Sequence, residues 1–268
     1  MVWPITWDDV VHARARLAPH LSPTPLRNYR ALDTEVGARV LVKHDNHLPT
    51  NAFKARNAMS LITALDEGER TRGVIAATRG NHGAGLAWAG ARLGVPVVIV
   101  VPHGNNPEKN AAIRGFGAEL VEVGRDYDDA AAAAAELAAS RGLVVAHSTN
   151  DRRIIAGAAT ITAEIIEQAA AMGETIDAMV VAVGGGSQAV GALVSVRALA
   201  PHIAVYGVQA TGASAIHDGW HAGKPTTRER ADTFADGLAT RATYDMTFPA
   251  LREGLTGFVA VPDAEIAE

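Results

Sequence analysis

The segment Thr50-Asn51-Ala52-Phe53-Lys54-Ala55-Arg56-Asn57 joins an apolar run, predicted to be a strand, to a predicted helix with one apolar face. Thr50 and Asn51 are favourable residues for capping a helix N-terminus, so Lys54 is predicted to lie in the first helical turn. The unpaired backbone N–H groups and the helix dipole there favour a neutral amine, which can form an imine with an aldehyde. A single lysine is more often a solvated surface residue, so the role of Lys54 has to be judged from the rest of the chain.

The composition narrows the class of protein. The 268 residues are enough for a large core, and 48% of them are hydrophobic. The formal net charge of −5 gives no basic surface for nucleic acid or an anionic membrane, and no uninterrupted apolar run reaches the length that spans a bilayer. The chain has no cysteine and no N-terminal basic region followed by an apolar one. We therefore expect a cytoplasmic protein that acts on a small molecule and binds neither nucleic acid nor membrane.

Short apolar runs alternate with helical patterns in two series, at 73–149 and 150–261. The clearest of these patterns predict helices at 127–140, 152–171 and 187–199. Continuously apolar strands that alternate with helices are typical of parallel sheets covered on both faces. The predicted fold is therefore α/β, with two doubly wound parallel-sheet lobes and a crevice between them. We assign residues 1–72 and 150–268 to a larger domain and residues 73–149 to a smaller one.

Two glycine-rich segments lie where a predicted strand ends and a predicted helix begins. They are Thr78-Arg79-Gly80-Asn81-His82-Gly83-Ala84-Gly85 and Val183-Gly184-Gly185-Gly186-Ser187-Gln188. Open α/β sheets bind ligands at the carboxyl ends of their strands. Consecutive glycines before a helix N-terminus also let the backbone surround a phosphate. Either segment alone is equally well explained as a tightly packed turn.

Two other catalytic sites are compatible with parts of these segments. A nicotinamide site is disfavoured, because the glycines within 80–85 lack the full dinucleotide-binding spacing and no acidic residue ends the next strand. A serine hydrolase would use Ser187 with Asp218 and His221, which follow in a known chain order. The sequence around Ser187 lacks the last glycine of the G-x-S-x-G motif, so this alternative is weak but open.

The order of the three features favours a different cofactor. A lysine at a helix start is followed by a glycine loop that contains an asparagine, and then by a glycine-rich phosphate cradle. Pyridoxal phosphate requires an imine-forming lysine, a phosphate site and a hydrogen bond to its ring hydroxyl. The combination on a two-lobed α/β scaffold therefore predicts pyridoxal 5'-phosphate as the cofactor.

With these motifs the chain resembles the fold-type II pyridoxal-phosphate enzymes, specifically the threonine/serine dehydratase and serine racemase family. The resemblance extends from about residue 23 to the C-terminus. The matching segments are Pro49-Thr50-Asn51-Ala52-Phe53-Lys54, Thr78-Arg79-Gly80-Asn81-His82-Gly83, Val183-Gly184-Gly185-Gly186-Ser187 and Ala235-Asp236-Gly237-Leu238-Ala239.

The resemblance implies a role for each matching residue. Lys54 would carry the cofactor covalently and act as the catalytic base, Phe53 would flank the cofactor ring, and Asn81 would hydrogen-bond its phenolic oxygen. The phosphate would be bound by Gly184, Gly185, Gly186 and Ser187, and Gly237 would lie near the ring. The substrate carboxylate would be held by Thr78, Arg79, Gly80, Asn81 and His82.

The resemblance also implies the reaction. A β-hydroxy amino acid such as threonine or serine would undergo α,β-elimination to a 2-oxo acid and ammonia, after the freed Lys54 amine removes the Cα proton. An alternative is a related lyase that acts on a larger β-substituted amino acid. An alternative of another class is a cofactor-free, non-catalytic binding protein of the same fold. The family further implies a homodimer.

Arg79 departs from the family pattern. Racemase-like members have a serine at this position, which acts as the acid and base on the far face of the ring. A guanidinium does not deprotonate in proteins, so racemisation is disfavoured. Arg79 could instead hold a carboxylate or a β-substituent.

Two further departures concern metal binding and the end of the chain. Metal-dependent relatives have carboxylates where Gln209 and Ala215 align, so no divalent metal site is expected there. His44 and His47 are better explained as surface residues than as metal ligands. The resemblance also implies that the larger domain lacks its usual C-terminal part, including the residue that faces the pyridine nitrogen.

Overall fold

The computed structural model describes residues 3–268, so Met1 and Val2, which we assigned to the larger domain, lie outside the described residues. In the first part of the chain the elements are α1 (Trp7–Leu17), β1 (Leu26–Asn28), α2 (Arg30–Val36), β2 (Leu41–Lys43), α3 (Lys54–Thr63), α4 (Glu67–Arg72), β3 (Val74–Ala77), α5 (Asn81–Leu93), β4 (Val97–Val101), α6 (Pro107–Gly115), β5 (Glu119–Glu122), α7 (Tyr127–Arg141) and β6 (Val144–Val145). They are followed by α8 (Arg152–Ala171), β7 (Ala178–Ala182), α9 (Ser187–Leu199), β8 (Ala204–Ala210), α10 (Ala215–Ala222), α11 (Phe248–Gly254), β9 (Gly257–Val261) and α12 (Asp263–Ala267).

The first large sheet is parallel and is covered on both faces. Its strand order is β5-β4-β3-β6. Because the chain steps one way through α5 and α6 and then back through α7, right-handed crossovers put α7 on the opposite face. The core agrees, since Ile75 and Val98 pack with the alanines of α7, whereas Ala76 and Ile99 pack with residues of α3 and α5. The doubly wound arrangement predicted for this part of the chain is therefore present.

The second large sheet is also parallel, with the order β7-β8-β9. One face, which includes Met179 and Phe258, packs into a core with α8 and α9. The other face is apolar and exposed in the described residues, with Val180 at 69%, Val259 at 53% and Tyr206 at 39% exposure. A separate antiparallel pair joins β1 to β2. The parallel α/β fold predicted from the sequence is thus confirmed.

Helix α3 is held between two other helices, each of which approaches its backbone through a glycine. A Cβ on Gly85 of α5 would lie 2.8 Å from the carbonyl oxygen of Lys54. A Cβ on Gly157 of α8 would lie 2.7 Å from the carbonyl oxygen of Arg56. Because only glycine permits such approaches, the first turn of α3 is fixed from both sides.

Helix α8 is long and apolar enough, by length and composition, to cross a membrane. Most of its apolar window is buried, and it packs against both α3 and α9. These are the properties of a helix that is packed in the core over most of its length, with exposed residues such as Glu167 near its C-terminal end.

A buried network of charged residues lies beside α3. Arg56 is only 1% exposed, and its guanidinium donates to Asp45 Oδ2 at 2.9 Å and to Glu164 Oε2 at 2.8 Å. Lys43 Nζ donates to the same oxygen of Glu164 at 2.8 Å. Two cations thus face two carboxylates, and the network ties α3 to α8 and to the loop after β2.

We expect Arg56→Met to destabilise the protein by about 3–5 kcal/mol, because it leaves the largely buried carboxylate of Asp45 without its cationic partner. Chemical denaturation monitored by circular dichroism measures this change. Arg14→Met, which breaks an exposed pair with Glu167, is the matched control and should cost about 0–1 kcal/mol. A similar small loss for both variants would mean that the buried network does not stabilise the fold.

Candidate active site

The amine of Lys54 lies inside the protein, at the first residue of α3. Lys54 Nζ donates a hydrogen bond to the carbonyl oxygen of Ser148 at 3.2 Å. It also lies 5.0 Å from the centroid of the Phe53 ring. Burial lowers the pKa of Lys54 to about 8, because the charged ammonium loses its hydration. About a tenth of the amine is therefore neutral and nucleophilic at pH 7, whereas an unperturbed lysine is neutral in less than about one molecule in a thousand.

The helix cap that we predicted from the sequence is wrong in detail. Phe53, not Thr50 or Asn51, is the N-cap residue of α3, and it makes no side-chain capping bond. Asn51 adopts a left-handed backbone with φ of 52°, so residues 50–53 form a tight turn before the helix. Burial adds a cause that the sequence did not reveal, because desolvation lowers the pKa of Lys54.

The first glycine-rich segment forms the N-terminus of α5. Gly80 is the N-cap residue without a side-chain cap, and its N–H donates to Thr78 Oγ1 at 3.2 Å. Arg79 and Asn81 are exposed, whereas His82 is 3% exposed. The first backbone N–H groups of α5 are thus without a side-chain cap and can receive an anion such as a carboxylate.

The ring of His82 has a defined tautomer. Its Nε2 lies 2.8 Å from the carbonyl oxygen of Ala146, which can only accept, so Nε2 carries the proton. Nδ1 is then an acceptor, and it has no hydrogen-bond partner among residues 3–268. Burial, together with the nearby charge of Lys54, lowers the pKa of His82 to about 3. The ring is therefore neutral and offers one buried lone pair.

The second glycine-rich segment forms a cradle at the N-terminus of α9. A Cβ on Gly184 would lie 2.9 Å from the carbonyl oxygen of Gly237, and a Cβ on Gly185 would overlap the side chain of Thr149. Gly186, the N-cap residue, has φ of 93° and no capping side chain. Ser187 follows as the first helical residue and is buried. The backbone can therefore enclose a phosphate at this helix start.

One segment connects these features, and sequence reasoning missed it. Ser148 accepts the hydrogen bond from Lys54, and the adjacent Thr149 contacts Gly185. His147 Nδ1 accepts from the backbone N–H groups of Thr149 and Asn150 at 3.0 and 2.9 Å, which fixes the turn. The sequence signal for this segment was the polar run that follows the short strand β6. Because β6 pairs with β3 in parallel, this run and the loop after β3 lie at the same edge of the sheet.

The residues present fit pyridoxal phosphate. A buried amine of lowered pKa suits an aldehyde, and the start of α9, which follows the glycines and has no capping side chain, suits a phosphate. The segment 147–150 borders both the amine and the cradle. Lys54, Phe53 and the residues from Gly184 to Ser187 are therefore the ones that would hold the group.

Ser187, Asp218 and His221, which a serine hydrolase would use, do not form a catalytic triad. His221 Nε2 lies 3.0 Å from the carbonyl oxygen of Phe258, and Asp218 binds Arg228 at 2.7 Å. Ser187, the proposed nucleophile, has no hydrogen bond to a histidine in the described residues.

The candidate metal ligand His44 already has a hydrogen-bond partner, because its Nε2 lies 2.8 Å from the Tyr29 hydroxyl. Residues 3–268 contain no group of three or more metal-ligating side chains.

Comparison with known proteins gives one consistent result. The model of the family described as "Pyridoxal-phosphate dependent enzyme" matches residues 17–268. The chain is 35% identical over 243 residues to the biosynthetic L-threonine dehydratase of Pasteurella multocida, covering 91% of this chain and 47% of that protein. It is 33% identical to the L-threo-3-hydroxyaspartate ammonia-lyase of a Pseudomonas species, covering 98% of this chain and 81% of the relative.

Solved structures agree with the sequence relatives. Maize serine racemase superposes with a TM-score of 0.95 at 28% identity, covering 99% of this chain and 79% of that one. The chain spans about half the length of the biosynthetic threonine dehydratases that it matches.

The lowered pKa of Lys54 predicts a specific pH dependence. Only the neutral amine reacts, so modification of Lys54 by an amine-selective acylating reagent should rise about fivefold from pH 7 to 8 and level off above about pH 9. Peptide mass spectrometry measures the rate. A lysine in a model peptide, with a pKa of about 10.4, is the control and should keep gaining reactivity to pH 10. If the rate for Lys54 had the same pH dependence as the rate for the peptide lysine, the amine of Lys54 would not be desolvated.

Proposed function

The chain belongs to the family of pyridoxal-phosphate dependent enzymes, and on that premise we propose that it is a lyase of the threonine/serine dehydratase type. Its reaction is the α,β-elimination of a β-hydroxy amino acid, such as threonine or serine, to a 2-oxo acid and ammonia. This proposal depends on one observation. The desolvated amine of Lys54 and the glycine cradle both contact the segment 147–150. The named relatives support the same reaction class.

The residues divide into three groups in this proposal. Lys54 holds the cofactor and acts as the catalytic base, with Phe53, Asn81 and Gly237 against the cofactor ring. The phosphate lies on the backbone of Gly184, Gly185, Gly186 and Ser187. The substrate carboxylate lies at the start of α5, on Thr78, Arg79, Gly80, Asn81 and His82. When bound, the cofactor withdraws electrons from the substrate Cα and so makes its proton acidic.

Lys54 can move that proton because its pKa lies near the working pH. A base whose pKa is about 8 is partly neutral at pH 7 and still basic enough to accept a proton. His82, whose pKa is lowered to about 3, stays neutral and keeps a further positive charge away from the amine. Burial also raises the pKa of Tyr244 to about 12, so this phenol beside His147 stays protonated.

Arg79 bears on the stereochemical outcome. A racemase needs a second group that takes up and releases a proton on the opposite face, and an arginine does not do so. Arg79 is exposed in the loop that precedes α5. The proposed chemistry is therefore elimination without racemisation. The relative that acts on hydroxyaspartate also favours the alternative of a larger β-substituted substrate.

The proposal includes the organisation of the chain. Residues 1–72 and 150–268 form the cofactor-binding domain, and residues 73–149 form the small domain. Separate sheets in the two parts support this division. We further propose a cytoplasmic homodimer that acts on free amino acids and not on nucleic acid or membranes, in line with the net charge of −5.

Lys54→Ala should abolish both the absorbance band that pyridoxal phosphate gains on the protein and the release of 2-oxo acid from threonine or serine. Both depend on the same amine. Lys224→Ala, in an exposed loop, is the matched control and should leave both intact. If Lys54→Ala retains the band and the activity, the proposal is wrong. A wild-type protein that never takes up the cofactor would instead favour a cofactor-free binding protein.

A further inference from the structure

The side chain of Lys109 crosses the loop that begins α5. A Cβ on Gly80 would lie 3.0 Å from Lys109 Cδ and 3.3 Å from its Nζ. Lys109 stands in the first turn of α6, so this contact brings a second helix to the proposed substrate site. Its ammonium group is therefore fixed beside the backbone that would bind the substrate.

Lys109 also faces the phosphate cradle through an ion pair. Its ammonium binds the carboxylate of Asp236, which precedes Gly237 in the chain. The carbonyl of Gly237 in turn approaches Gly184. Gly80, Lys109 and Asp236 therefore lie between the substrate loop and the cradle, and Arg79 directly precedes Gly80 in that loop. We call these four residues the cleft entrance.

The cleft entrance carries an excess positive charge. Arg79 directly precedes Gly80, its side chain is exposed, and its guanidinium has no hydrogen-bond or ion-pair partner in the part of the chain that the structure describes. Asp236 neutralises one of the two cations, and its own carboxylate is 61% exposed. The methyl group of threonine would gain nothing from this charge, whereas a carboxylate would bind both cations.

We propose that Arg79 and Lys109 bind a second carboxylate, on the substrate side chain, so that the preferred substrate is an acidic β-hydroxy amino acid of the 3-hydroxyaspartate type. This inference rests on the proposed lyase function and specifies its substrate class. The backbone N–H groups at the start of α5 take the α-carboxylate, whereas the side chains of Arg79 and Lys109 take the β-carboxylate. Water leaves across the Cα–Cβ bond and is taken up again as ammonia departs, so the product is a 2-oxo dicarboxylate and no oxidant is needed.

The test is the ratio of kcat/KM for threo-3-hydroxyaspartate to that for threonine, measured on the cofactor-loaded enzyme by release of 2-oxo acid. A hydrogen bond to a charged group is worth roughly tenfold to a hundredfold in binding. We expect a wild-type ratio above about 100, lowered about 10- to 100-fold by Arg79→Gln or by Lys109→Met. Arg92→Gln, an exposed arginine at the far end of α5, is the matched control and should leave the ratio unchanged.

Asp236→Asn tests the sign of the charge effect. It removes the anion that competes for Lys109, so the ratio should rise several-fold. A wild-type ratio below one, or a ratio unchanged in both the Arg79 and the Lys109 variants, would overturn the acidic substrate while leaving the lyase function standing. Failure to consume either amino acid would instead count against the lyase function.

Ligand binding to the wild-type protein tests the recognition of a second carboxylate without a measurement of turnover. Succinate and butyrate have the same four carbons but differ by one carboxylate. Isothermal calorimetry on the unmodified, cofactor-loaded protein should show succinate binding at least tenfold more tightly than butyrate, and Arg79→Gln should remove the difference. Equal affinities in the wild type would overturn the recognition of a second carboxylate.

Discussion

Helix α3 is held on both sides by helices whose backbones come within contact distance of its own. Gly85 of α5 lies against the carbonyl of Lys54, and Gly157 of α8 lies against the carbonyl of Arg56. Any side chain larger than hydrogen at either glycine would push the helices apart. The buried ionic network of Arg56, which reaches Glu164 of the same helix α8, adds directional contacts to this packing. The first turn of α3 therefore has little freedom, and the amine of Lys54 is presented to one place.

The chemistry of the site follows from that confinement. The amine of Lys54 loses hydration where it donates to the carbonyl of Ser148, and its pKa falls to about 8. The partners that surround it come from different parts of the chain, because parallel strands end at a common edge and their loops converge there. The loop after β6 borders the amine through Ser148, and the glycine cradle after β7 contacts the same loop through Thr149. One small region thus combines a desolvated amine with the glycine-rich start of a helix that no side chain caps.

Much of the fold and part of the site can be predicted from local sequence. Helices α8 and α9 begin and end where the pattern predicted, because long apolar periodicity and terminal polar residues are local signals. Lys54 and the two glycine-rich segments could be singled out for the same reason. The cap at Thr50 and Asn51 was wrong, since residues that favour a cap were used in a tight turn instead. The roles of Thr149, Lys109 and Asp236 could not be predicted, because each depends on contacts between residues far apart in sequence.

The central claim is that Lys54 and the triglycine turn hold opposite ends of one small molecule. A crystal structure of the protein grown with pyridoxal phosphate tests it most directly. We expect continuous density from Lys54 Nζ to the pyridine ring, with the phosphate within hydrogen-bonding distance of the backbone N–H groups of residues 184–187 and Lys54 no longer bound to Ser148. Density for the phosphate at any other site, with the Lys54 amine still on the Ser148 carbonyl, would contradict it.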